Sequence, residues 1–106
     1  MRNFIFIFEQ SHIIKFGLTT DDLLLLDYFY QFFQEGFAKS VVYNEERYFL
    51  IRYSKMIADL PVLYSNERTF RRRIAKLEEK QALKRYIKNR RDLYICVNWK
   101  KLFDGD

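Results

Sequence analysis

The side chains in this chain best able to do chemistry are its cations. Eleven of the nineteen Lys and Arg residues fall between positions 65 and 91, against three acidic residues there, so that stretch carries about +8. Residues 1 to 64 hold six basic and eight acidic side chains, and residues 92 to 106 hold two and three, so the whole formal +5 sits in one block. Positive charge concentrated in one segment of otherwise ordinary composition makes an electrostatic face for a polyanion, of which nucleic acid is the commonest. Residue types suited to catalysis or metal binding are sparse. His12 is the only histidine and has no Cys pair or carboxylate cluster near it in sequence, which reads as a structural role. Asp21 and Asp22 follow Thr19 and Thr20, the place for first-turn partners of a helix dipole rather than an acid/base pair. The three glycines, Gly17, Gly36 and Gly105, are too scattered for a phosphate loop. The expectation is therefore a binding protein without enzymatic activity, metal or cofactor.

At 106 residues, 49% apolar and 19% aromatic, the chain is long and apolar enough for one self-sufficient core. The single cysteine, Cys96, excludes a disulfide framework and suits a reducing compartment, so a cytoplasmic setting is expected. The opening run Phe4 to Phe8 is five residues long and is followed by Glu9, which fits a buried strand better than a signal peptide. No stretch approaches the roughly 20 apolar residues that cross a bilayer, so no membrane partner is expected.

Several elements must position the basic block. Ser11 to Phe16 reads as a short helix stopped by Gly17. Thr19 and Thr20 supply N-cap hydroxyls, and Asp21 and Asp22 first-turn acids, for a helix whose apolar positions Leu25, Leu26, Phe29, Phe32 and Phe33 recur at helical spacing, ending near Gly36. Asn44 to Glu46 marks a turn, and Arg47 to Tyr53 reads as a strand. Ser54 caps a short helix over 55–60, which must end before Pro61. Ser65 is read as the N-cap of a helix running to about Lys80, with Phe70, Ile74 and Leu77 as its buried stripe. At 100° per residue the opposite face carries Arg68, Arg72, Ala75 and Glu79, flanked by Ser65, Thr69 and Lys76. Residues 83–88 and 93–99 read as two strands joined by Asn89 to Asp92.

Leu60 to Lys80, entered through Tyr48 to Lys55, resembles the recognition region of winged-helix domains in replication initiators of phages and mobile elements from Gram-positive bacteria. In those domains an L-P pair closes the first helix of the motif, and an R-(T/S)-x-x-(R/x)-x-(I/L)-x-x-L pattern forms the second. The resemblance implies an α+β fold, a winged helix-turn-helix with a three-helix core and a β-hairpin wing. Residues 19–99 would form that core, 1–18 an N-terminal strand and helix extension, and 100–106 a tail, all in one domain. The chain departs from the pattern at Gln81-Ala82, where such domains have Gly followed by Leu or Ile. A left-handed C-cap without Gly puts the angle between helix and hairpin in question.

With that architecture, the expected function is sequence-specific binding of double-stranded DNA, as in origin recognition during phage or plasmid DNA replication. A transcriptional repressor would use the same contacts. Arg68, Arg72 and Lys76 repel one another at i, i+4 spacing, a cost that contact with DNA would offset. Ser65 and Thr69 flank them. Arg71 lies one turn after Glu67 and fits an ion pair as well as a DNA contact. Arg73 fits either the domain surface or a neighbouring phosphate. Lys88, Arg90 and Arg91 at the hairpin suit phosphate oxygens or a narrow minor groove. Lys55, with Ser54, is a further phosphate candidate. The rival expectation is a protein-interaction module whose basic face docks an acidic replication or host factor, such as a helicase loader. With nineteen Phe and Tyr residues, self-association as a homodimer is also expected.

Overall fold

Thr19 and Asp22 start the helix on which the core is built. Thr19 Oγ1 accepts the Asp22 N–H at 3.2 Å and Asp22 Oδ2 accepts the Thr19 N–H at 3.0 Å, a reciprocal capping box that satisfies two otherwise orphaned donors. The computed structural model describes residues 4–5, 7–36, 38–61, 66–87 and 92–105. Along it run β1 (Phe4–Ile5), β2 (Phe8–Glu9), α1 (Gln10–Lys15), α2 (Thr20–Gln34), β3 (Ser40–Tyr43) and β4 (Glu46–Ile51). Then come α3 (Tyr53–Asp59), α4 (Glu67–Glu79), β5 (Leu83–Ile87), β6 (Leu93–Val97) and α5 (Trp99–Asp104). The result is a compact α+β domain with a Cα radius of gyration of 13.6 Å, close to the ~13 Å of a folded 100-residue unit.

The larger sheet is antiparallel throughout, in the order β3-β4-β6-β5. One of its faces packs on the helices: Ile51, Ile95, Leu93, Leu83 and Val97 join Leu25, Leu26 and Phe29 of α2, Met56 of α3, and Phe70, Ile74 and Leu77 of α4 in one buried core. The apolar stripe read from α4 is thus fully buried. The opposite face carries a second cluster, Tyr48, Leu50 and Tyr94 with Val41, Tyr86 and Cys96 packed against it. Part of the aromatic surplus resides there. Cys96 donates its S–H to Glu46, and burial together with that acceptor pushes the thiol up to about 11.

Several expectations need correction. The opening run is not one strand: β1 and β2 are two-residue pieces pairing with each other. The strand β3 was not foreseen, although the turn after it was. Asn44 (φ 51°) and Glu45 (φ 67°) form the two-residue loop between paired Tyr43 and Glu46, and two successive positive φ values match the twist of a tight hairpin. Arg52, without a side-chain cap bond, rather than Ser54, precedes α3. Asn66, not Ser65, caps α4, its Oδ1 accepting the Thr69 N–H at 2.9 Å; Ser65 itself lies outside the described residues. Residues 99–104, expected to be strand end and tail, form α5, because Trp99 and Phe103 stack on each other and both meet Tyr30 edge-on. His12 Nδ1–H donates to the Leu102 carbonyl at 3.0 Å and fastens α1 to α5. Gly105 (φ 79°) closes α5 against that ring, where a Cβ would come within 2.7 Å of it.

Asp22 has a second task. Its side chain is fully buried, and beyond the cap it accepts from Lys80 Nζ at 2.6 Å and Arg73 at 3.4 Å, with Asp21 3.6 Å from Arg73. Burial works to raise the Asp22 carboxyl, but the bonds from Lys80 and Thr19 outweigh it and leave the group below its ordinary 3.8. A carboxylate with a lowered folded-state value contributes stability that is complete above its unfolded value and is lost as pH falls through the folded one. Asp22→Asn should therefore destabilise the domain by about 3 kcal/mol at pH 7, the low end for a broken buried pair because Lys80 and Arg73 keep a quarter of their surface in water. Denaturant titrations from pH 7 to 2 should also show the variant losing less stability than the parent below about pH 4.

Candidate nucleic-acid interface

The sequence offers a block of cations, and the structure divides it. Helix α4 turns Phe70, Ile74 and Leu77 inward, which fixes the direction of every other side chain on it. Arg73, at the margin of the buried stripe, meets Asp21 and Asp22 and so belongs to the fold rather than to a phosphate. Lys80 ends on Asp22. Arg85 donates its Nε and a terminal nitrogen to Glu78 Oε1 at 3.0 and 2.8 Å, while its backbone N–H reaches the other oxygen, joining α4 to β5. Lys84 pairs with Glu46 across the sheet at 2.6 Å, holding that carboxyl below its ordinary range. Arg71 pairs with Glu67 at 2.6 Å, as its spacing suggests, and lies over the Tyr53 ring at 4.7 Å.

Arg68, Arg72 and Lys76 are different. All three are exposed, and among the described residues their side chains have neither ion pair nor hydrogen bond. They occupy one face of α4, and eight residues of helix separate the first from the last by about 12 Å along its axis. Thr69 is exposed on the flank, but its hydroxyl already donates to Asn66 Oδ1 at 3.1 Å. Lys55 is half committed: it pairs with Asp59 at 3.2 Å and its Nζ lies 5.7 Å from the Phe32 ring centre.

The helix is followed by a tight return. The Gln81 N–H bonds to the Glu78 carbonyl at 3.0 Å and the Ala82 N–H to that of Leu77 at 2.9 Å, a Schellman ending with Gln81 in the left-handed conformation at φ 64°. The turn that normally takes Gly is made here by Gln, whose Oε1 accepts from Lys101 of α5. Lys88, Arg90 and Arg91 lie outside the described residues. The strands that bound them are described, however. β5 ends and β6 begins at the paired Ile87 and Leu93, and Leu93 also faces Ile51 at the end of β4. The same end of the sheet holds Arg52, just after β4, and Lys39, just before β3, whose carbonyl accepts the Leu50 N–H at 2.8 Å. Neither had been singled out as a site residue. Recognising Ser40 to Tyr43 as a strand from its branched and aromatic run would have brought Lys39 to this edge.

Among the described residues no three His, Cys, Asp or Glu side chains converge on a point, and no helix is long and apolar enough to cross a membrane. Comparison of the chain with protein-family models, curated proteins and solved structures finds no match.

The division of the cations can be measured through stability. Arg68→Ala, Arg72→Ala and Lys76→Ala should each leave stability unchanged or raise it by up to about 0.5 kcal/mol for each like-charge i, i+4 pair removed. Arg73→Ala should lower it by about 1.5 kcal/mol, because it takes a charged donor from a buried carboxylate. Guanidinium unfolding of the four variants would give the comparison, and equal losses in all four would show that the exposed face is structural after all.

Proposed function

We propose that this domain binds double-stranded DNA through the exposed face of α4, with Arg68 and Arg72 directed at base edges or phosphates and Lys76 at the backbone. The observation that carries the proposal is the surplus. Among the described residues the neighbouring cations of α4 and β5 are paired with carboxylates of the domain, whereas these three repel one another on one solvent face and meet no acid. A 13-residue helix that buries one side completely and leaves arginines on the other has the size and charge for the major groove, where an arginine can bond guanine through two N–H groups.

The chain order around it supports a winged helix-turn-helix. The short α3 and the longer α4 pack together, Tyr53 meeting Phe70 edge-on, and β5 and β6 follow as an antiparallel pair. In that arrangement Lys88, Arg90 and Arg91, which lie between β5 and β6 in sequence, would contact the flanking backbone. β3, α1 and α5 are additions to the motif. The resemblance to replication initiators suggests recognition of an origin in phage or plasmid DNA as the biological role.

The test is fluorescence anisotropy of a mixed-sequence duplex titrated at several salt concentrations with the parent and with Arg68→Ala/Arg72→Ala. Binding should weaken linearly in log salt, with a slope near −0.9 per phosphate contacted. The double variant should bind at least about tenfold more weakly with a slope reduced by up to about 2. A folded protein that does not bind at low salt, or a double variant that binds like the parent, would refute the proposal.

A further inference from the structure

At the basic end of the sheet, between the last turn of α2, the start of β3 and the first turn of α3, lies a groove of about 240 Å³ lined by Phe32, Ala38, Lys39, Leu50, Arg52, Lys55 and Met56. Its wall chemistry is divided. Of its apolar lining, Phe32 and Ala38 are the part-exposed side chains, while Leu50 and Met56 are themselves buried, and Lys39, Arg52 and Lys55 bring three positive charges with no acidic side chain among the described lining residues. Among the described residues Lys39 and Arg52 have no side-chain partner, and Lys55 shares Asp59, which stands outside the lining. Cations beside an apolar hollow call for a ligand with an apolar body and negative charges around it.

Size and lining narrow the class. The hollow is smaller than the roughly 300–1,000 Å³ that encloses a whole drug-sized ligand, so it fits one large side chain and leaves the rest of the ligand outside. A nucleobase would satisfy the charges through its phosphates. Its polar edges, however, would press on the methyl of Ala38 and the ring carbons of Phe32, which offer no hydrogen bond, and burying them unpaired is costly. An aromatic or aliphatic side chain loses nothing there. A single anchor side chain in a pocket, ringed by weaker charged contacts, is also the way short peptides obtain most of their affinity.

We infer that this groove docks an acidic peptide segment of a partner protein, one apolar side chain seated against Phe32 and Ala38 and its flanking carboxylates on Lys39, Arg52 and Lys55. The site does not depend on duplex binding by α4, since it uses none of Arg68, Arg72 and Lys76. Peptide docking there can therefore be read separately from the α4 face.

The test uses the full chain, labelled with ¹⁵N, and a short peptide carrying one tryptophan flanked on each side by aspartates. Amide shifts should be concentrated at Lys39, Leu50, Arg52, Lys55 and Met56, with a Kd on the order of 100 μM. Replacing the tryptophan by serine, or the aspartates by asparagine, should weaken binding by about tenfold or more in each case. Lys39→Glu/Arg52→Glu should abolish binding while keeping a folded spectrum, Ala38→Trp should block the hollow, and Arg68→Ala/Arg72→Ala should bind the peptide like the parent. Three results would overturn the inference: no shifts at these residues, loss of peptide binding in Arg68→Ala/Arg72→Ala, or tighter binding of an oligothymidylate at the same residues. The last would make the groove a nucleotide site.

Discussion

The orientation of α4 depends on the carboxylate of Asp22, which is wholly buried and holds three donors from three parts of the chain. Thr19 supplies a backbone N–H, Arg73 a guanidinium from the middle of α4, and Lys80 an ammonium from its C-cap. A buried charge is tolerated only when such donors surround it, and once they do it penalises any rearrangement that would withdraw one. The first turn of α2 is thereby fixed to α4 at two points seven residues apart. Together with Phe70, Ile74 and Leu77 in the core, this determines which side of α4 meets water.

That constraint separates cations with structural duties from cations without them. Arg73, Lys80, Lys84 and Arg85 each have a carboxylate, and Arg71 has both Glu67 and the Tyr53 ring. A helix that needed charge only for solubility would alternate signs on its exposed face and gain from i, i+4 pairs. α4 does so at Glu67 and Arg71 but abandons the pattern at Arg68, Arg72 and Lys76. Local destabilisation on an otherwise well-satisfied helix is expected where binding sets the residue choice.

Long, periodic elements could be read directly from the sequence. α2 and α4 were legible because each repeats its apolar positions over several turns, and a threonine cap for α2, at Thr19 or Thr20, followed from side-chain chemistry within four residues. The exposure of Arg68, Arg72 and Lys76 followed from 100° arithmetic, and the Arg71–Glu67 pair from spacing. The remaining features are non-local. Nothing near Arg73 or Lys80 points to an acid 51 or 58 residues away. β3 is a four-residue edge strand, too short for its alternation to stand out. Trp99 continues the alternation of Leu93, Ile95 and Val97, so a strand is the natural local reading; only its packing on Tyr30 and Phe103 makes it the start of a helix. The basic groove was hidden for the same reason, since it forms only where α2, β3, β4 and α3 meet.

The division of arginines into bound and available is the claim on which the functional proposal rests, and arginine side-chain NMR reads it residue by residue. With ¹⁵N-labelled protein and an unlabelled duplex, the Nε–Hε signals of Arg68 and Arg72 should shift and sharpen against solvent exchange as DNA is added. Those of Arg73 and Arg85 should stay in place, already held by Asp22 and Glu78. Duplex binding that moves Arg73 or Arg85 and leaves Arg68 and Arg72 unchanged would contradict the claim.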